Sequence, residues 1–261
     1  MKIAIIAPTE IPSKRANTLQ VMKMAQAFRE SGHHVHLIAP QESNRNDSLS
    51  TSPYSWDNLA HHYGLSKKFE IDWLPAYNAL KRYDFSLRAL QKARNESVDI
   101  IYTRLPQMAA LSSALGLPTI LEAHDIPQGK TGPLLFQTFL KGRGAKRLVV
   151  ITHALYQDIQ KMFKLPANKE FCIVAPDGVD LERYQDLPSS TKAREKFVTN
   201  PPHFLSERLK FPENFSTQFT AGYTGHLYRG RGTHLLLELA AQLPEINRSE
   251  EHTSELQSRQ S

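Results

Sequence analysis

The chain has 261 residues, 40% of them hydrophobic and 22% charged, with a formal net charge of +6. That length suits one large domain or two small ones, and no apolar run approaches the roughly 20 residues that span a bilayer. One cysteine, Cys172, excludes an intrachain disulfide and fits a reducing, cytoplasmic compartment. The positive charge favours anionic partners, but no Lys/Arg tract with interleaved aromatics and no zinc-ligand spacing occurs, so nucleic acid is not expected as a partner.

In chain order, β-branched apolar runs alternate with helical patterns. Lys2–Ala7 reads as a first strand; Pro8 and Glu10 cut its apolar run below signal-peptide length. Thr18–Ser31 reads as an amphipathic helix through Leu19, Met22, Ala25 and Phe28, ended by Gly32. Val35–Ala39 is a second strand and Gln41–Ser55, rich in Ser, Asn and Asp, a loop. Phe69–Leu74 is a third strand, and Ala79–Arg94 a basic helix carrying Lys81, Arg82, Arg88, Lys92 and Arg94. Strands then follow at Asp99–Thr103, Thr119–Glu122, Arg147–Ile151 and Phe171–Val174, separated by helices at Gln107–Leu115, Pro133–Lys141 and His153–Phe163. Such alternation predicts an α/β, Rossmann-like, doubly wound parallel sheet with right-handed crossovers. After Pro176-Asp177-Gly178-Val179-Asp180 the pattern changes. Residues 181–216 are charged and weakly helical, a new strand starts near Phe219, and His234–Leu243 is amphipathic. The expected division is a first domain over 1–178 and a second, truncated Rossmann-like domain over 179–247.

The motifs narrow the chemistry. Strand one runs into Ala7-Pro8-Thr9-Glu10-Ile11-Pro12, without the glycines of a dinucleotide fingerprint, and neither a P-loop nor a G-x-S-x-G elbow occurs. Ligands of open parallel sheets bind beyond the carboxyl ends of the strands. Those ends offer Ser13, Lys14, Arg15 and Asn17 after the first strand, then Arg104, then Glu122-Ala123-His124-Asp125, then Thr152. Asn17 is also suited to cap the first helix. Gly222–Gly232, GYTGHLYRGRG, reads as a glycine-rich basic loop between strand and helix, where backbone N–H groups and a helix N-terminus can approach a phosphate.

The strings RANTLQVMKMAQAFRESGHHVHLIAP, LEAHDIP, VVITHAL, VAPDGVDLERY and GYTGHLYRGRGTHLLLELA resemble, in order and spacing, glycosyltransferase family 4. That resemblance implies a retaining sugar transferase of GT-B fold, two Rossmann-like domains facing across a cleft, with a nucleotide-sugar donor such as a UDP- or GDP-sugar and no metal cofactor. It implies that Gly225 lets the backbone approach the donor diphosphate, that Arg231 and Gly232 form the basic-glycine pair beside it, and that His226 stands where an arginine is common. His124 matches the histidine beside the transferred sugar; Asp177 and Gly178 fall in the PDGVD string, and Asn17, Arg104, Glu122 and Thr152 are further cleft residues. The acceptor would be a glycan, a lipid-linked molecule or a small molecule, and the basic 79–94 stretch would suit peripheral contact with an anionic membrane face. A GT-B-type sugar-nucleotide epimerase and a non-catalytic α/β binding domain are alternatives.

There are departures from the family pattern. The segment SKRANTLQ lacks the glycine pair many members carry, and Gln20 stands where a histidine is often found. The paired-glutamate E-x7-E segment that grips the donor sugar does not occur, and it would lie beyond Asn247. Residues 248–258, RSEEHTSELQS, resemble a translated sequencing adapter, so 248–261 are expected to be a non-native tail and the chain an inactive fragment.

Overall fold

The computed structural model describes residues 1–42, 54–77, 80, 82–165, 170–199, 220–224, 232–243 and 247–251. The chain divides into two compact units, Met1–Gly178 and Val179–Ser261.

In the first unit the elements are β1 (Lys2–Ile6), α1 (Ala16–Glu30), β2 (His34–Glu42), α2 (Trp56–Tyr63), β3 (Glu70–Ala76), α3 (Tyr83–Asn95), β4 (Ile100–Thr103), α4 (Pro106–Ala114), β5 (Thr119–Ala123), α5 (Gly132–Lys141), β6 (Ala145–Val150), α6 (His153–Met162) and β7 (Cys172–Val174). The seven strands form one sheet in the order β3-β2-β1-β4-β5-β6-β7, and every pair is parallel. Starting at the centre, running outward to one edge and returning to build the other is the doubly wound arrangement. It buries both sheet faces, so the strands read as continuous apolar runs. Ile3, Ile5, Leu37 and Tyr102 face one way and pack with Val21, Met22 and Ala25 of α1. Ala4, Ile6, Ile38 and Ile101 face the other, against Phe85 and Ala89 of α3 and Met108 of α4. Leu121, Leu148 and Val150 close a third cluster with Phe136 and Phe139 of α5 and Ile159 of α6.

Four details differ from the sequence reading. Helix α1 begins at Ala16, so its N-cap is Arg15, without a side-chain cap, and Asn17 lies inside the first turn rather than capping it. The buried face of α1 runs through Thr18, Val21, Met22, Ala25 and Gln26, leaving Leu19 41% exposed. Helix α2 was not expected. Ser55 caps it by accepting from the Asn58 N–H at 3.3 Å, Leu59 and Tyr63 bury one face, and Gly64 ends it at φ 61°, the usual left-handed helix stop. Helix α3 starts at Tyr83 rather than Ala79, because Arg82 sits at φ 64° and cannot continue a right-handed helix.

The second unit contains a 3-10 turn (Leu181–Tyr184), α7 (Ser190–Thr199), β8 (Thr220–Thr224), α8 (Thr233–Gln242) and β9 (Asn247–Glu251). β9 runs parallel to β8, from Thr220 opposite Asn247 to Thr224 opposite Glu251. Residues 248–251 thus form a strand where the sequence suggested none. A ladder needs only backbone N–H and C=O groups, and the β8–α8–β9 crossover returns the chain alongside β8.

Candidate active site

The carboxyl ends of β1, β4, β5 and β6 lie side by side, so the residues that follow them share one rim. Register then selects the face. Tyr102 pairs with Ile120 and Thr103 with Leu121. Because side chains alternate along a strand, Tyr102 and Arg104 fall on the same face as Ile120, Glu122 and His124.

Glu122 is the centre of the cluster, with a side chain only 4% exposed. Its Oε2 accepts from the Tyr102 hydroxyl and its Oε1 meets His124 Nε2, both in short contacts. Arg104 Nε stands 3.9 Å from the same Oε1. Burial alone would raise the Glu122 pKa. The hydrogen bonds from His124 and Tyr102 and the charge of Arg104 outweigh it, and the carboxyl is held below its ordinary range. Tyr102 is pushed the other way, far above the usual phenol range, by burial first and then by the Glu122 charge. The group is therefore a phenol donating to a carboxylate. The Tyr102 ring is further fixed edge-on against Phe28, with centroids 5.3 Å apart.

Asp177, beyond β7, joins this cluster: its carboxylate, that of Glu122 and a His124 ring nitrogen lie within 4.8 Å of one another. Gln20 Nε2 on α1 donates to Asp177 Oδ1 at 2.8 Å. The three donor groups are close enough to bridge one cation, yet both Glu122 oxygens are already engaged and Arg104 brings positive charge to the same carboxylate. A cavity of about 10 Å³ lies among Gln20, Met24, Tyr102, Arg104 and Glu122, room for about one water. Arg104 Nη1 and Asn17 Oδ1 are buried without a hydrogen-bond partner among the described residues.

Arg104, Glu122 and His124, singled out at strand ends, thus come together, and Asp177 of the PDGVD string joins them. Thr152 does not join them through its hydroxyl, which caps α6 by accepting from the Leu155 N–H at 3.1 Å. Gly178 is exposed at the end of the first unit. Gly225, His226 and Arg231 lie outside the described residues, whereas Gly232 caps α8 at φ 72°, a conformation that favours glycine. The sequence reading missed Tyr102 and the role of Gln20. Period-2 alternation in D-I-I-Y-T-R could have paired Tyr102 with Arg104 on one face, but only the β4–β5 register brings Glu122 to them.

A wider depression of about 870 Å³ opens at the amino ends of β1, β2 and β3, lined by Lys2, His36, Glu70, Asp72, Lys92 and Glu96. It lies at the edge opposite to the one where parallel sheets bind ligands, and Lys2, His36, Asp72, Lys92 and Glu96 of its lining are held in ion pairs with one another. Cys172 is half-buried, and burial raises its thiol to about 11, which leaves it a structural thiol rather than a nucleophile.

Comparison with known proteins fits this geometry. The family model for Glycosyltransferase Family 4 matches residues 19–183, more than half of the chain and all of the cluster. The chain belongs to glycosyltransferase family 4. No curated protein matched its sequence. Among solved structures, it resembles Anabaena HepE, solved in complex with UDP and glucose (TM-score 0.62, 15% identity, 96% of this chain and 60% of that one). It also resembles a glycosyltransferase from Rickettsia africae (TM-score 0.58, 14% identity, 98% and 69%) and sucrose-phosphate synthase from Thermosynechococcus elongatus (TM-score 0.63, 13% identity, 98% and 63%). At these identities the likeness is one of fold, Rossmann-like units of the GT-B type. The family 4 chain spans about 60% of the length of HepE. No helix among its described residues is long and apolar enough to cross a membrane.

Proposed function

We propose that this chain carries the acceptor-side domain, residues 1–178, and the beginning of the donor-side domain, residues 179–247, of a retaining glycosyltransferase. The enzyme would transfer a sugar from a nucleotide-sugar, a UDP- or GDP-sugar, to an acceptor without a metal cofactor. The observation that carries the reading is the convergence of Arg104, Glu122, His124 and Asp177 at the carboxyl edge of the sheet in a chain of this family. HepE, of similar fold, holds UDP and glucose. In the proposed arrangement His124 lies beside the transferred sugar. Gly225, His226, Arg231 and Gly232 supply backbone and cationic donors to the leaving diphosphate, neutralising its charge without a metal.

The acceptor we favour is lipid-linked, reached from the cytoplasmic face of a membrane. Tyr77, Leu80, Tyr83 and Leu87, before and along α3, are 45%, 54%, 43% and 57% exposed. Arg88 and Arg94 on the same helix have no counter-charge among the described residues, whereas Lys92 is occupied by Asp72 and Glu96. An apolar strip flanked by arginines suits an anionic lipid surface.

The test is the reading frame that follows Asn247 and the protein it encodes. It is expected to continue for roughly 100–150 residues, one further domain, and to contain an E-x7-E pair; a stop codon directly after Asn247 overturns the proposal. In that protein, sugar transfer from a nucleotide-sugar with EDTA present is expected to fall on the order of 100-fold in His124→Ala, the size of effect a misplaced reacting group produces. Transfer unchanged in His124→Ala, or abolished by EDTA, would contradict it. The 261-residue chain, which lacks the glutamate pair, is expected to transfer no more sugar than its own His124→Ala variant.

A further inference from the structure

The two oxygens of Glu122 are divided between two partners, Tyr102 on Oε2 and His124 on Oε1. An ionised carboxylate only accepts hydrogen bonds, so the ring nitrogen facing it must carry the proton. In a neutral imidazole that leaves the other nitrogen as a lone-pair acceptor, and the partner of one nitrogen sets the state of the other. Here the nitrogen facing the carboxylate is Nε2. Nδ1 has no partner among the described residues, and the His124 side chain is 21% exposed while Glu122 is 4% exposed. The ring thus has one end buried against a fixed anion and reaches partly into the open. The anion cannot turn away, because the Tyr102 hydroxyl and the Arg104 guanidinium hold it from the neighbouring strand β4.

We infer that Glu122 is a positioning residue that holds His124, whenever its ring is neutral, in the Nε2–H tautomer, so that Nδ1 is offered at the carboxyl edge of the sheet as a hydrogen-bond acceptor for a hydroxyl group of the sugar or acceptor. This rests on the proposed function for the identity of that hydroxyl, but not for the state of the ring. The lock has three parts. Glu122 fixes the proton on Nε2; Tyr102 occupies the second oxygen, so the carboxylate cannot rotate to offer it elsewhere; and Arg104 keeps the site electrostatically suited to an anion. A histidine held this way can take a hydroxyl proton into a hydrogen bond but cannot donate from Nδ1, which assigns it to orienting an O–H group rather than protonating a leaving group.

The experiment reads the ring directly, without any nucleotide-sugar. In the 15N-labelled 261-residue chain, long-range 1H–15N correlations of His124, assigned by their loss in His124→Ala, are recorded at a pH where the ring is neutral. The expected pattern is a single tautomer with Nε2 protonated and Nδ1 not. In Glu122→Gln, whose amide can also donate, the single-tautomer pattern is expected to be lost, with the two nitrogen signals moving toward each other. Tyr102→Phe keeps the carboxylate and is expected to keep Nε2 protonated, with a smaller movement. A protonated Nδ1 in the wild-type chain overturns the inference, as does an unchanged pattern in Glu122→Gln with native tryptophan fluorescence. Should Glu122→Gln fail to fold, the wild-type and Tyr102→Phe spectra decide alone, and a protonated Nδ1 in either overturns it. Loss of sugar transfer for other reasons in a longer enzyme would leave these spectra unchanged, so failure of the inference and failure of the functional reading are separable.

Discussion

Replacing Glu96 by glutamine tests how the amino-terminal edge of the sheet is held. Glu96 follows α3, its side chain is 18% exposed, and its carboxylate receives Lys92 Nζ at 3.1 Å, Lys2 Nζ at 3.2 Å and His36 Nδ1 in a shorter contact. His36, buried on β2, also meets Asp72 Oδ2 on β3 through Nε2 at 2.9 Å. The cluster therefore ties β1, β2, β3 and α3 together. Burial alone would raise the Glu96 pKa, but hydrogen bonds from His36, Lys92 and Lys2 prevail and lower it to about 2. Against an ordinary value near 4.3, at 1.36 kcal/mol for each tenfold change in proton affinity, that corresponds to about 3 kcal/mol at neutral pH. The lysine side chains are 37% exposed, and solvent screening brings the expectation to about 2 kcal/mol. The sign follows from the depressed value: the contribution is complete above pH ~4.3, where the unfolded carboxyl is also ionised, and is lost as pH falls through about 2. Both tryptophans of the chain, Trp56 and Trp73, lie in the first unit, so urea unfolding followed by their fluorescence reports that unit alone. At pH 7 the Glu96→Gln midpoint is expected roughly 1 M urea below wild type, given a slope of about 2 kcal/mol per molar. Between pH 5 and pH 2 the two midpoints should converge. A gap that is absent at pH 7, or that persists undiminished at pH 2, refutes the reasoning.

Gly144→Ala should destabilise the first unit by about 3 kcal/mol, an overpacking cost, measurable by the same unfolding curve. Its Cβ would meet the Leu117 carbonyl oxygen at 2.0 Å and carbon at 2.7 Å, backbone atoms that cannot swing aside at the start of β6; a midpoint equal to wild type would contradict the packing. Binding to vesicles of mixed neutral and anionic lipid is expected to exceed binding to neutral vesicles. Arg88→Ser with Arg94→Ser should lower it roughly 30-fold, at about 1 kcal/mol per basic residue near the surface, and Leu87→Ser should also weaken it. Equal binding of both vesicle types, or no effect of these changes, would sink the membrane docking reading.

Much of the architecture was legible before any coordinates. Alternation of β-branched runs with amphipathic runs carries the parallel sheet, because strands buried on both faces must be apolar along their length. Residues at strand ends carry the candidate site, because that is where a doubly wound sheet leaves open backbone and side-chain groups. Helix α2 was legible and missed: Ser55, Leu59, Tyr63 and Gly64 form a cap, a buried face and a stop, hidden behind a polar segment read as loop. β9 was not legible, since RSEE has no strand composition and a backbone ladder with β8 leaves no mark in the sequence.

The sequence by itself determined that the chain is a doubly wound α/β protein of a sugar-transferase family, because periodicity and short motifs are local properties that survive without partners. It also picked Arg104, Glu122 and His124, because each ends a strand or follows one, and Asp177 through the PDGVD string. Tertiary structure alone decided what these residues do to one another. The β4–β5 register puts Tyr102 and Arg104 against Glu122, Gln20 of α1 meets Asp177 from beyond β7, and α6 takes the Thr152 hydroxyl for its cap. Those contacts join residues far apart in the chain, and no local pattern encodes the register that brings them within hydrogen-bonding reach.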